Sequence, residues 1–112
     1  EQNTAEQIPL VFASAGDVYM TIGEFARFTQ MHLRGLRGQR DVLRPETIQR
    51  MHTPNGDYAM GWLILDVEGV RTSFHDGSAD TFISRIAIQP SKDRAVALVT
   101  NAGGEQGAAA LD

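Results

Sequence analysis

The chain has 112 residues, no cysteine and a formal charge of -4. That length supports one small domain with one modest core. A balance of 42% hydrophobic to 21% charged residues is that of a folded globular chain, not a disordered one. The acidic charge and the lack of a Lys/Arg run exclude a nucleic-acid footprint and disfavour an anionic membrane surface. Absent cysteines exclude disulfide frameworks, Cys-based zinc sites and a thiol nucleophile, and no stretch reaches the roughly 18 apolar residues of a membrane span.

The segment Glu1 to Ser14 has no clear period; Pro9 and the apolar trio Leu10, Val11, Phe12 suggest an extended lead-in. Its first residues, Glu1 to Gln7, are polar and acidic, unlike the basic-then-apolar start of a signal peptide. There is no initiator Met, so a segment of a longer protein is expected. Ser14-Ala15-Gly16-Asp17 reads as a turn. Thr21-Ile22-Gly23-Glu24 is a capping-box pattern, in which the Thr hydroxyl accepts from the Glu24 backbone while the Glu24 carboxylate reaches back. Ile22, Phe25, Ala26, Phe28, Thr29, Met31 and Leu33 then give a broad apolar helix face, with Gly35 ending the run.

Leu36 to Val42 is basic and glycine-containing, a loop. Arg44-Pro45-Glu46 opens a shorter helix, with Pro45 near the first position where its missing N–H does no harm. Thr53-Pro54-Asn55-Gly56 stops it. Strand signals follow: Tyr58 to Val67, a tight turn at Glu68-Gly69, and Val70 to Phe74. After a break at His75 to Asp80, Thr81 to Ile88 is a third strand. Gln89 to Asp93 is a turn and Ala95 to Thr100 a fourth, almost wholly apolar strand. Asn101-Ala102-Gly103-Gly104 leads into Glu105 to Leu111, the first turns of a truncated helix. The expectation is α+β: two helices followed by a four-stranded antiparallel meander, all within one unit spanning 1–112.

Phe74-His75-Asp76-Gly77-Ser78 is the most informative stretch. A glycine just after a strand lets a ligand approach the backbone closely. A histidine two residues earlier can set a titratable ring beside it, and Ser78 adds an N–H and a hydroxyl. On spacing alone His75 also fits a half-buried polar residue, and Asp76 a turn residue bonding its own backbone. His32 and His52 fall at or near helix ends, where a histidine meets the helix dipole favourably, and are read as structural. The three histidines show no metal-ligand spacing, so no metal and no cofactor are expected. Phe25, Phe28 and Trp62 read as core, and Gly103-Gly104 as a plain turn.

The order of short motifs resembles a known family. Ser14-Ala15-Gly16-Asp17-Val18-Tyr19-Met20-Thr21 running into Glu24-Phe25-Ala26-Arg27-Phe28 resembles the "PAGGLYST…DLARF" segment of the β-lactamase-related, penicillin-recognising serine hydrolases. Leu43-Arg44-Pro45-Glu46-Thr47-Ile48 is similar to "LSPETV", Met60-Gly61-Trp62 to "GLGW", and Val99-Thr100-Asn101 to "VLTN". His75-Asp76-Gly77 stands where the family has Lys-Thr-Gly or His-x-Gly. The family includes class C β-lactamases, D-alanyl-D-alanine carboxypeptidases, D-aminopeptidases and esterases. The resemblance spans about residues 13 to 104.

The resemblance implies a β-lactamase/transpeptidase-like fold, a bacterial enzyme that is periplasmic or secreted, and hydrolysis through an acyl-enzyme on a serine of a Ser-x-x-Lys motif. Carried over, His75 takes the position that holds a substrate carboxylate and tunes the local field, and Gly77 the close-approach position. The backbone N–H of Ser78 completes the oxyanion hole, a donor worth about 3 kcal/mol in the transition state. Asp76 and Ala79 stand at substrate-binding positions. Asp76 departs from the usual Thr or Gly, and a carboxylate beside a substrate carboxylate would repel it. That leans the expectation from β-lactams toward ester or peptide substrates.

No serine here is followed three places on by lysine, and Tyr19 and Tyr58 lack an asparagine two places on. The nucleophile and the family's Tyr-x-Asn motif therefore fall outside the chain, which alone is expected to be inactive. The alternative is a non-catalytic binding or regulatory module that kept the fold; a small interaction domain with a chance resemblance is a third reading. Because the family strand matching Ala95–Thr100 is interior, its exposure would leave an apolar edge open to a second copy or to Glu1–Phe12.

Overall fold

The computed structural model describes residues 10–79 and 82–111, and the side chains within them except those of Phe12 and Ala79. The expectation for Glu1 to Pro9 lies outside the described residues. The next residues are helical, not extended: a 3-10 turn at Leu10–Phe12 runs into α1, Ala13–Gly16, closed by Asp17 N–H donating to the Ala13 carbonyl at 3.0 Å.

The main helix α2, Ile22–Leu36, starts on the expected capping box. The Glu24 N–H donates to Thr21 Oγ1 at 3.3 Å, and the Thr21 N–H donates to the Glu24 carboxylate at 2.7 Å. The bonds that the carboxylate accepts from the Thr21 N–H and hydroxyl, with the charge of Arg27, hold the exposed Glu24 carboxyl below its ordinary range. Gly35 does not end α2, which runs one residue further. It is buried against α3, Pro45–Met51, and a Cβ there would lie 2.6 Å from Ile48. The glycine is a helix–helix contact point. Its neighbour Ile48 is fully buried, an anchor whose burial stabilises by about 2–3 kcal/mol.

Four antiparallel strands follow in chain order, β1-β2-β3-β4. They are β1 (Leu63–Val67), β2 (Val70–Ala79), β3 (Phe82–Gln89) and β4 (Arg94–Thr100). The expected α+β class and strand meander are present, together with a last helix α4 at Gly104–Ala109. Two strand boundaries differ from the sequence reading. Tyr58–Trp62 is not strand: Ala59 N–H donates to the Trp62 carbonyl at 2.9 Å through Gly61, whose φ is +81°. That fold tucks Ala59 and Trp62 inside. The expected break at His75 does not occur either, because β3 pairs with β2 from Ser73 to Ala79 and gives the backbone a ladder.

Side-chain alternation gives the sheet two unlike faces. Ile64, Ser73, Ile86, Ile88 and Ala95 share the face packed by α2 and α3. Its centre is Ala59, Trp62, Ile86 and Ile88, with Phe25, Leu33 and Leu36 laid against it. The opposite face carries Phe74, Asp76, Arg85 and Ile83. Here α4 touches Ile83 at Gly107, and Arg85 donates to the Leu111 carbonyl at 3.0 Å.

Candidate functional site

The β1–β2 turn sets which backbone groups of β2 are available. Glu68 and Gly69 have φ of 53° and 77°, the pair of positive values that defines a two-residue type I′ hairpin. Gly69 N–H also donates to the Asp66 carboxylate at 2.7 Å. In such a hairpin the flanking residues Val67 and Val70 exchange both backbone hydrogen bonds, and hydrogen-bonded pairs then alternate along the ladder. With Leu65 opposite Thr72 and Leu63 opposite Phe74, the even-numbered residues of β2 turn their N–H and C=O toward β1. The odd-numbered ones turn toward β3. Since β1 ends at Leu63, the N–H and C=O of Asp76 and Ser78 point to an edge with no strand beside it among the described residues.

Each sequence-predicted residue has a definite place on this edge. His75 pairs with Ile86 and is exposed; its ring lies 6.4 Å from that of Tyr58, edge to face. Gly77 sits opposite Ser84, and a Cβ on it would come within 2.9 Å of the Ser84 hydroxyl. Ser78 is opposite Ile83 and exposed. The backbone of Ala79 closes the strand opposite Phe82; Asp80 and Thr81 lie outside the described residues. By alternation His75 and Gly77 share one face of the sheet, and Asp76 and Ser78 the other.

Asp76 corrects an electrostatic expectation. Its carboxylate is held by Arg85 through two hydrogen bonds, 2.9 and 3.1 Å, and the guanidinium also lies over the Phe74 ring at 5.5 Å. This fork is a cross-strand clasp on the face away from His75. A carboxylate so neutralised and so directed does not oppose a substrate carboxylate beside His75.

A second constellation escaped the sequence reading. His32 is not at a helix end but inside α2, fully buried, with Nδ1 2.8 Å from His52 Nε2; the other nitrogen of His52 lies 2.8 Å from Ser73 Oγ. The His52 ring stacks on Trp62 at 4.3 Å. Burial pushes His32 down to about 4; burial, then the charges of His32 and Arg71, push His52 down to about 3. The signal was in the helix spacing, since Phe25, Thr29, His32 and Leu36 follow one another at three- and four-residue steps. A histidine at that phase belongs to the core face.

The chain Ser73–His52–His32 has the outline of a nucleophile with its base, but two facts oppose that role. A base titrating near 3 is far from the neutral range in which proton abstraction is efficient. In addition, His32 Nε2 has no hydrogen-bond partner among the described residues. A bare acceptor costs less than a bare N–H, so the proton of His32 belongs on Nδ1, donated to His52. His52 then donates to Ser73 and cannot accept its proton. This cluster is structural. Beside it is a 240 Å³ cavity lined by Leu36, Gln49, Thr53, Arg71 and Pro90 with His52 and Ser73. Arg71 there caps the C-terminus of α3, donating to the His52 carbonyl at 3.3 Å.

Among the described residues no three His, Cys, Asp or Glu side chains gather as metal ligands, and no helix is long and apolar enough to cross a membrane. Compared with known proteins, the chain matches no family model, no curated protein and no solved structure. The class defined here is an α+β domain with a four-stranded antiparallel meander.

Proposed function

We propose that β2 beyond Phe74 is one wall of an acyl-transfer site of the penicillin-recognising serine hydrolase type. One observation carries the reading: among the described residues the strand matching that family's third motif has no strand on its outer side beyond Phe74, and the Ser78 N–H points out of that edge. The ordered motif resemblance from residue 13 to 104 and the strand order support it.

In this reading a serine from a part of the polypeptide outside these 112 residues attacks the substrate carbonyl. The developing oxyanion accepts a hydrogen bond from Ser78 N–H. A base, also outside these residues, takes the serine proton and passes it to the leaving group as the tetrahedral intermediate collapses to the acyl-enzyme; water then attacks the ester, releasing the acid and restoring the serine hydroxyl. His75, exposed beside Tyr58, donates to a carboxylate or carbonyl of the substrate. With Asp76 clasped by Arg85, anionic and neutral acyl substrates both fit: β-lactams, D-amino-acid peptides and esters.

The test uses the longer protein that contains this chain together with a Ser-x-x-Lys segment. Ser78→Pro removes the outward N–H without breaking a rung to β3, so kcat falls about 100- to 1000-fold while the thermal midpoint stays within a few degrees. His75→Ala lowers turnover about 100-fold. Unchanged turnover of both variants on all three substrate classes, or a parent protein with no such serine, overturns the proposal and leaves a non-catalytic module.

A further inference from the structure

The segment between α3 and β1 turns away from β2 where the candidate site begins. Leu63 pairs with Phe74, so one more rung in register would set Trp62 against His75, and the rungs after it would bring Ala59 to Ser78. Gly61 prevents this, because its φ of +81° lies in a region closed to most side chains. The chain reverses instead, with the Ala59 N–H donating to the Trp62 carbonyl at 2.9 Å. Two more backbone bonds brace the reversal. The Met60 N–H donates to the Met51 carbonyl of α3 at 3.1 Å, and the Asn55 N–H to the Tyr58 carbonyl at 3.0 Å. Ala59 and Trp62 are buried, and the His52 ring stacks on Trp62 at 4.3 Å. The backbone that carries Tyr58 is therefore held by α3, by the core and by its own turn.

This reversal delivers the Tyr58 ring to His75. The two centroids lie 6.4 Å apart with the planes inclined at 60°, within the separation of about 4.5–7 Å at which aromatic rings attract edge to face. An imidazole on a strand turns about two torsions, the second of them broad. A ring packed at its side removes much of that freedom. A tyrosine on a braced backbone suits this task, since it has only two side-chain torsions of its own to fix.

We propose that Tyr58 is a positioning residue for His75: the contact between the rings holds the imidazole in the orientation from which it donates to the substrate. The inference rests on the acyl-transfer reading above and adds the residue that aims His75. It assigns the work to the Tyr58 ring and none to its hydroxyl, so phenylalanine replaces tyrosine and an aliphatic residue does not.

The test uses the longer protein with its Ser-x-x-Lys segment. With the histidine ring carbons labelled, nuclear Overhauser contacts between the Tyr58 and His75 rings are expected. The His75 ring-proton shifts should move in Tyr58→Leu and stay in Tyr58→Phe. Tyr58→Leu lowers kcat about 2- to 10-fold, the factor that an aromatic pair supplies, while KM and the thermal midpoint hold and Tyr58→Phe keeps the original kcat. In a His75→Ala background Tyr58→Leu has no further effect, because it acts through the imidazole. Tyr58→Met serves if the leucine variant does not fold. Rings that make no contact, full kcat in Tyr58→Leu where His75→Ala is impaired, or an equal loss with and without His75 overturns this inference and leaves the acyl-transfer reading standing. Unchanged turnover in His75→Ala removes His75 from that reading, and this inference falls with it.

Discussion

His52 stands at the C-cap of α3, as a position near a helix end requires, whereas His32 lies on the buried face within α2. Both were placed by their nearness to helix ends, yet the physical fact that governs them is burial: each ring is almost wholly withdrawn from solvent, so a charge on it is poorly solvated. Their folded values, about 4 and about 3, lie below the ordinary 6.5. Between those limits the unfolded chain binds more protons than the folded one, so stability rises with pH and falls as pH drops below about 6.5. Each histidine contributes up to about 1.4 kcal/mol per pH unit in that window. Urea midpoints measured from pH 7.5 to 5 should fall, and a flat profile would show that the rings can charge without unfolding. Gly35 is the complementary case, a residue read as a helix stop that is in fact a contact point. Gly35→Ala brings a methyl within 2.6 Å of Ile48 and should cost about 1–3 kcal/mol by chemical denaturation despite alanine's better helix propensity. A gain in stability would mean that α3 moves aside.

Local signals located most elements and failed where pairing partners decided the outcome. The capping box fixed the start of α2 because its chemistry lies within four residues. Thr21→Ala removes two hydrogen bonds from that turn and should lower stability by about 1 kcal/mol, read from the thermal midpoint. Glu68-Gly69 was equally legible as a tight turn. At His75–Ser78, by contrast, Gly77 reads as an interruption, but the strand continues because Ile83–Ile88 supplies a partner and Asp76 clasps Arg85. That partner is set by the whole hairpin, not by the local composition. Asp76→Ala should cost only about 0.2–1 kcal/mol, since the carboxylate is partly exposed and the pair is screened. A larger loss would mean that the clasp holds β2 and β3 in register. At Tyr58–Trp62 β-forming residues failed for the opposite reason: Gly61 turns the chain so that Trp62 caps the histidine pair.

At the scale of the molecule, the sheet is well covered on one side only. Leu63, Leu65 and Val67 stay about 40% exposed on the face opposite α2, where among the described residues the short α4 is the one covering helix. Among the described residues, both long edges of the sheet also carry backbone groups with no strand beside them. The α+β class and the strand order followed from hydrophobic patterning, which is a local property. The open edge of β2 beyond Phe74 did not, because it depends on where β1 begins; an open edge at Ala95–Thr100 was expected from the family resemblance. The candidate site was legible as the stretch His75–Ser78, whereas the direction of each N–H required the hairpin geometry. That direction is the central claim, and amide exchange at β2 tests it most directly. The account predicts slow exchange at His75 and Gly77, which bond to β3, and fast exchange at Asp76 and Ser78, which face the open edge. Ser78 protected as strongly as Gly77 would contradict it.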